Sequence, residues 1–391
     1  MLKIKKMKIV RVVTSAHVIP WHLENTLTRL INDFEVCVVG DGVSKFKSVY
    51  PDVKFVDIYI DRKINLIADL KAFFCLYLFF KSYKPDIVHS IMHKAALLTA
   101  ISSFFALVPV RINTFTSQYW ATKAGLARFA IYSSDYIVNY LNTACLTDSH
   151  SQSRYLAEHH ISRNGKPLPV LMKGSLSGVN IDRSTYDSLA LEASNLRLKL
   201  GLVGGEYIFL FLARKSKDKG IFDLIDAFQL VKLSHPGARL LFVGPDESNG
   251  LLKKRKDLNP EIFSSIIEID QSVDDREVYF AISDILCLPS YREGFGSVVI
   301  DAAAQSVPTI GTNIPGLVDA IIDGETGILV PAGSVQELAK AMLDCITNKD
   351  KYVSMGKLAK KRVYENFTAD LLYASLKSFY FDQTNGSSKR L

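Results

Sequence analysis

The sequence predicts an α/β protein of two doubly wound domains, each a parallel sheet with helices on both faces, facing a central cleft. Three observations carry this reading. Short apolar runs alternate with amphipathic helical segments along the chain. The runs are continuously apolar, as strands buried on both faces require. A polar, glycine-containing break from Gly201 to Tyr207 divides the 391 residues into halves of one-domain size.

The first half opens with a basic then apolar start, in which Arg11 interrupts the apolar run and no small-residue cleavage site follows. Lys8–Val13 is therefore expected as a buried strand, with Met7 as an alternative start. Further strands are expected at Phe34–Val39, Val53–Ile58, Asp86–His89 and Val110–Phe115, with weaker ones at Cys145–Thr147 and Val170–Met172. Leu23–Ile31, Leu66–Tyr83 and Lys94–Phe105 read as the intervening helices. In the second half, strand Ile208–Ala213 leads to helix Ile221–Leu233, where Ile221, Leu224, Ile225, Phe228 and Val231 share one face. Strands follow at Arg239–Val243, Ile266–Ile269, Ile285–Leu288, Thr309–Gly311 and Ile328–Val330. Ser334 and Glu337 stand at capping-box spacing before a further helix.

Composition removes several classes. With 48% hydrophobic residues the chain can bury large cores, and no apolar run reaches the ~20 residues of a membrane span. Five scattered cysteines without Cys-x-x-Cys spacing fit neither a zinc site nor a disulfide framework, and point to a reducing cytoplasm. The net charge of +7 is uneven: residues 1–190 carry +9 and the remainder −2. The cations are dispersed and no nucleic-acid motif accompanies them, so no nucleic-acid partner is expected. An anionic membrane surface and a merely soluble basic face both remain open.

The sharpest motif runs from Pro289 through Arg292, Glu293, Gly294, Phe295, Gly296 and Ser297 to Asp301. It follows a buried strand and opens a helix. Gly294 and Gly296 allow a sharp turn and close ligand approach, and Ser297 is placed to cap a helix whose N–H groups hold an anion. Glu293 and Asp301, eight positions apart, are expected to face one cleft; the plainer alternative is a solvated loop acid and a helix-dipole partner.

This segment resembles the donor-binding signature of retaining glycosyltransferases of the GT-B fold. They form the large group 1 family (glycosyltransferase family 4) that includes capsule and O-antigen polysaccharide enzymes. Gly311 to Asp319, Asp323 to Pro331 and the Arg214 to Gly220 spacing are similar to it as well, and Pro85 to His89 and Val110 to Phe115 more loosely. The resemblance implies two Rossmann-like domains: an acceptor-side domain at 1–200 and a nucleotide-sugar domain at 201–368. Residues 369–391 would form a helix crossing back to the first domain, with a tail disordered from Gln383. It also implies catalytic roles for Arg214, Lys219 and Glu293. Arg214 and Lys219 would neutralise the leaving diphosphate, and Glu293 would accept the sugar's hydroxyls. Gly294, Phe295, Gly296, Ser297 and Asp301 would bind the donor, Asp301 at the ribose.

Two departures from the family pattern stand out. Asp301 replaces the usual, longer Glu. Thr116 stands where many relatives carry a His after Thr114-Phe115, and a hydroxyl cannot serve as a base near neutral pH. A front-face retaining mechanism, in which the leaving phosphate takes the acceptor's proton, tolerates that loss. His89, His93, Lys94 and Thr116 are the acceptor-side candidates. No Asp-x-Asp occurs, so no metal and no cofactor beyond the nucleotide diphosphate sugar itself are expected.

The expected activity is retaining transfer of a hexosyl or N-acetylhexosaminyl group, from a UDP-linked donor, to a lipid-linked oligosaccharide at the cytoplasmic face of the membrane. The Phe-rich stretch Phe73–Phe80 with Lys71, Lys81 and Lys84 is the expected peripheral contact. A soluble sugar or sugar-phosphate acceptor, and a non-catalytic nucleotide-sugar-binding subunit, are the alternatives.

Overall fold

The computed structural model describes residues 6–181, 185–202, 204–270 and 275–388, and the side chains of all of these but 185–188 and 387–388. The chain forms two compact units, Met1–Gly178 together with Ala369–Leu391, and Val179–Thr368.

The first unit is built on six parallel strands: β1 (Lys8–Ser15), β2 (Glu35–Asp41), β3 (Lys54–Asp57), β4 (Ile87–Ile91), β5 (Val110–Phe115) and β6 (Ala144–Thr147). Their order is β3-β2-β1-β4-β5-β6, which reverses direction between β1 and β4. Ligands of such sheets bind at that reversal, outside the carboxyl ends of the strands. Alternate residues of each strand face opposite ways. Ile9, Val13, Ile87 and Ile91 pack on helix Glu24–Asp33 and the C-terminal helix Ala369–Ser388. Val10, Val12, Val39 and Val88 pack on helices Leu66–Tyr83 and His93–Phe105. Helix Gly125–Leu141 continues that second layer, burying Val138 against Phe115 and Cys145.

The second unit repeats the plan with β7 (Ile208–Leu212), β8 (Arg239–Val243), β9 (Ile266–Ile269), β10 (Ile285–Leu288), β11 (Thr309–Thr312) and β12 (Gly327–Val330), ordered β12-β11-β10-β7-β8-β9. Its reversal lies between β7 and β10. Helix Ile221–Ser234 buries the five residues that share one face in the sequence, all at 0% exposure. Each such aliphatic or aromatic burial contributes about 1.5–3 kcal/mol against the exposed chain. Ser334 accepts the Glu337 N–H at 3.5 Å, as the capping spacing predicts.

Three local expectations differ from the structure. Val170–Met172 supplies only a single bridge, Val170 to Thr147, because Met172 takes a φ of +53° that ends the extended run. The units divide at Gly178 rather than near residue 200. Helix Thr185–Lys199 buries Leu189 and Ala193, with Leu202, against Ile208, Leu210 and Leu286 of the second sheet, so the Gly201–Tyr207 break lies inside that unit. The C-terminal helix continues past Gln383 to Ser388, and residues 389–391 lie outside the described chain.

Candidate active site

The loops after β7 and β10, the two strands flanking the second sheet's reversal, are knitted together residue by residue. Lys217–Lys219 form a tight turn after β7, and Gly220 closes it at φ +71°. A Cβ at Gly220 would lie 2.0 Å from the Pro289 carbonyl oxygen, so only glycine lets the two loops touch. The Tyr291 N–H donates to the Asp218 carbonyl at 2.9 Å, and Arg292 pairs with the Asp218 carboxylate at 3.1 Å. Burial opposes ionisation of Asp218, but the Ser216 hydroxyl and the charges of Arg292, Arg214 and Lys219 outweigh it and lower its pKa. Three cations are thereby gathered around one carboxylate.

Lys219 and Glu293 form the centre of the site. Nζ lies 2.5 Å from Oε1, with 15% and 11% of the side chains exposed, and the Ser290 hydroxyl donates to the same oxygen at 2.8 Å. A third loop supports them: a Cβ at Gly316 would lie 2.5 Å from the Gly294 carbonyl oxygen and 2.9 Å from that of Glu293. Thr312 donates its hydroxyl to the Ser290 carbonyl.

The sequence reading has Ser297 as helix cap, and here the structure differs. Gly296, at φ +84°, is the N-cap of helix Ser297–Ala304, and Ser297 is its first residue. The opening N–H groups thus carry no side-chain cap, which leaves the positive helix end open to an anion. Phe295 turns inward at 2% exposure and packs on Phe367, anchoring the loop.

Arg214 points to Glu247, Nη1 to Oε2 2.5 Å, both side chains well exposed. Its neighbour Lys215 is fully buried and pairs with Asp270. Asp301 is held through Oδ2 by Arg276 at 2.8 Å; burial raises its carboxyl pKa, while Arg276 acts in the opposite direction. The structure therefore brings Lys219 to Glu293 and both to Asp218 and Arg292, and gives Asp301 a separate partner. Roles for Asp218, Ser290, Arg292 and Arg276 are not among those expected from the sequence. Ser290 and Arg292 lie inside the Glu293 motif and Asp218 between Arg214 and Lys219, whereas nothing local points to Arg276.

In the first unit, His89 on β4 is 2% exposed, with Nδ1 2.7 Å from the Tyr380 hydroxyl and Nε2 2.8 Å from the Thr114 hydroxyl. Burial, assisted by Arg11, holds its pKa well below the usual imidazole value, so the ring is neutral. Met92 takes a φ of +73°, a strained value for a side-chain-bearing residue, and turns the chain sharply from β4 into helix His93–Phe105. His93 and Lys94 thus stand at the sheet's reversal. His93 is one-third exposed, with Nδ1 3.0 Å from Asp135 Oδ1 and Nε2 3.0 Å from the Ser134 hydroxyl; the other Asp135 oxygen accepts the Trp120 indole N–H at 2.9 Å. Lys94 pairs with Asp69 at 2.7 Å. Thr116 is half-buried just beyond β5.

Chemically, the second unit offers cations and uncapped helix N–H groups for a polyanion, beside a carboxylate able to accept hydroxyl hydrogens. Among the described residues no cluster of three or more His, Cys, Asp or Glu is arranged to hold a metal ion.

Comparisons with known proteins bear on the family and the fold. Residues 193–362 match the family "Glycosyl transferases group 1". The Staphylococcus aureus "Capsular polysaccharide biosynthesis glycosyltransferase CapM" is 27% identical over 380 residues, 96% of this chain and 97% of that one. The sucrose-phosphate synthase structure from Thermosynechococcus elongatus superposes with TM-score 0.78 at 19% identity, covering 97% of this chain and all of that one. Anabaena HepE in complex with UDP and glucose does so with TM-score 0.77 at 17% identity over 96% of this chain and all of that one. Residues 193–362 are thus a group 1 glycosyltransferase domain, and with a capsular relative matched along nearly its whole length the chain is a glycosyltransferase with the GT-B fold.

Proposed function

We propose that this enzyme transfers a hexosyl or N-acetylhexosaminyl group, with retention and without a metal, from a UDP-linked donor to a lipid-linked oligosaccharide in capsule- or O-antigen-type polysaccharide synthesis. The Lys219–Glu293 pair carries the reading. The ammonium group has three hydrogens; one meets Glu293, and the others are available to the diphosphate. Lys219, with Arg214, offsets the charge that grows on the leaving nucleotide, while Glu293 accepts hydroxyls of the donor sugar. Arg276 fixes one oxygen of Asp301 and leaves the other for the ribose. The UDP bound by the structurally similar HepE supports the choice of nucleotide.

With Thr116 unable to act as a base, the leaving phosphate oxygen takes the acceptor's proton as the new bond forms on the same face. His93, Lys94 and Thr116 position the acceptor, and His89 acts behind them through Thr114. The CapM relative supports a polysaccharide-assembly acceptor, and the basic first half supports action at the cytoplasmic membrane face. The test is turnover by purified protein with a panel of nucleotide sugars, offered a lipid-linked oligosaccharide or a soluble sugar phosphate. Transfer to the lipid-linked acceptor supports the reading; transfer to the soluble one alone replaces it.

A further inference from the structure

Two segments of the first unit are exposed at every residue, Arg62 to Ile67 and Ala121 to Ala130. Both combine cations with apolar side chains and contain no carboxylate: Arg62, Lys63, Ile64, Leu66 and Ile67 in one, Lys123, Leu126, Arg128 and Phe129 in the other. Ile64, Leu66 and Ile67 are 80–84% exposed, Leu126 88% and Phe129 69%. Single exposed apolar residues are ordinary, but two acid-free clusters of them are not.

The two segments flank one point of the fold. Lys94 donates to the Lys63 carbonyl and pairs with Asp69, which ties the first segment to the start of helix His93–Phe105. The preceding residue, His93, binds Ser134 and Asp135 of helix Gly125–Leu141, whose opening turns carry Leu126 to Phe129. The nearest acids are engaged internally. Asp61 accepts the Lys63 N–H at 2.9 Å, Asp69 holds Lys94, and Asp135 holds His93 and Trp120. Lys123 lies 4.8 Å from the half-exposed Tyr119 ring. An aromatic body with a polar tip, under a cation, suits a lipid–water boundary.

We infer that these two segments form a paired anchor that inserts into an anionic lipid surface on either side of His93 and Lys94. This rests on the membrane reading above and names the surface that serves it. Along the middle of helix Leu66–Tyr83, Ala72, Leu76 and Phe80 face the core, while Leu70, Lys71, Phe74 and Leu78 are exposed and continue the apolar and basic surface of the first segment. Ile64, Leu66, Ile67, Leu126 and Phe129 supply the insertion, and Arg62, Lys63, Lys123 and Arg128 the attraction to charged headgroups.

The experiment measures sedimentation of the full chain with vesicles of phosphatidylcholine alone and of phosphatidylcholine mixed with phosphatidylglycerol. Ile67→Ser with Leu66→Ser, and Leu126→Ser with Phe129→Ser, should each weaken binding to the anionic vesicles about tenfold, with an unchanged folded spectrum. Lys81→Glu with Lys84→Glu, at the far end of the same helix, should change it less than the serine pairs do. If the parent chain binds anionic vesicles while the serine variants bind equally well, the anchor is wrong and the membrane reading stands. If the parent ignores anionic vesicles at low salt, both fall. Concentration-dependent dimerisation abolished by the same serine pairs would overturn the proposal in favour of a second copy as occupant.

Discussion

Lys219 Nζ sits 2.5 Å from Glu293 Oε1, although the two residues come from loops 74 positions apart. Both side chains are largely shielded from water, so removing either leaves the other charge poorly compensated. Lys219→Ala and Glu293→Ala should each lower kcat by about thirtyfold to a thousandfold, equivalent to ~2–4 kcal/mol of lost transition-state stabilisation. The double variant should lose less stability than the sum of the singles, because it removes both charges together. Steady-state kinetics and thermal melts of the three proteins check this; additive melts would break the coupling.

Gly316 carries a second expectation. At φ +92°, with room for a Cβ only 2.5 Å from the Gly294 carbonyl oxygen, it holds the Glu293–Gly294 backbone in place. Gly316→Ala should destabilise the second unit by about 1–3 kcal/mol and depress kcat as well. An alanine variant with parental melting and turnover would refute the claim that this contact sets the loop.

Buried, neutral His89 makes the first unit sensitive to acid. Its folded pKa is depressed well below the usual 6.5, so the unfolded chain takes up a proton first as pH falls. Its contribution is fully present above about pH 6.5 and declines below that value, with a slope approaching one proton, or ~1.4 kcal/mol per pH unit. His89→Gln should be less stable at neutral pH but show a shallower loss between neutral and mildly acidic buffer. Denaturant melts followed across that range would settle the comparison, and parallel curves for variant and parent would count against it.

Metal independence is the fourth prediction. The diphosphate is assigned to Lys219 and Arg214, so turnover should survive excess EDTA. Loss of activity with rescue by magnesium or manganese would transfer that role to an ion.

Much of this architecture is legible in the residues because continuous apolar runs leave few alternatives. Every strand among the described residues overlaps an expected run, and those such as Ile208–Leu212 and Ile285–Leu288 have no polar face to offer solvent. The Glu293 loop is legible for a different reason: glycines on either side of a phenylalanine, between strand and helix, have a specific backbone purpose. What stays hidden is partnership across the chain. Tyr380 reaches His89 from 291 residues away, Asp135 reaches His93 from 42, and Arg276 reaches Asp301 from 25. Nothing local in those sequences marks them, because the pairing depends on how helices pack over a sheet. Ser297 misleads for a related reason. A serine before a helix is a good cap by type, but the αL conformation at Gly296 moves the boundary by one residue.

The first unit is assembled from both ends of the chain. Arg29 pairs with Asp370, Asp33 with Lys377 and Tyr373, and Arg11 with Tyr380. On the ribosome, the first sheet emerges with one face partly bare, since Leu376 and Tyr380 appear only after the entire second unit has been made. The second unit is contiguous and can finish folding while its elder neighbour still waits for its last helix. Synthesis order and completion order are thus inverted. A chain interrupted anywhere within the second unit leaves a sticky, unfinished first sheet for quality control to remove, rather than a free-standing domain.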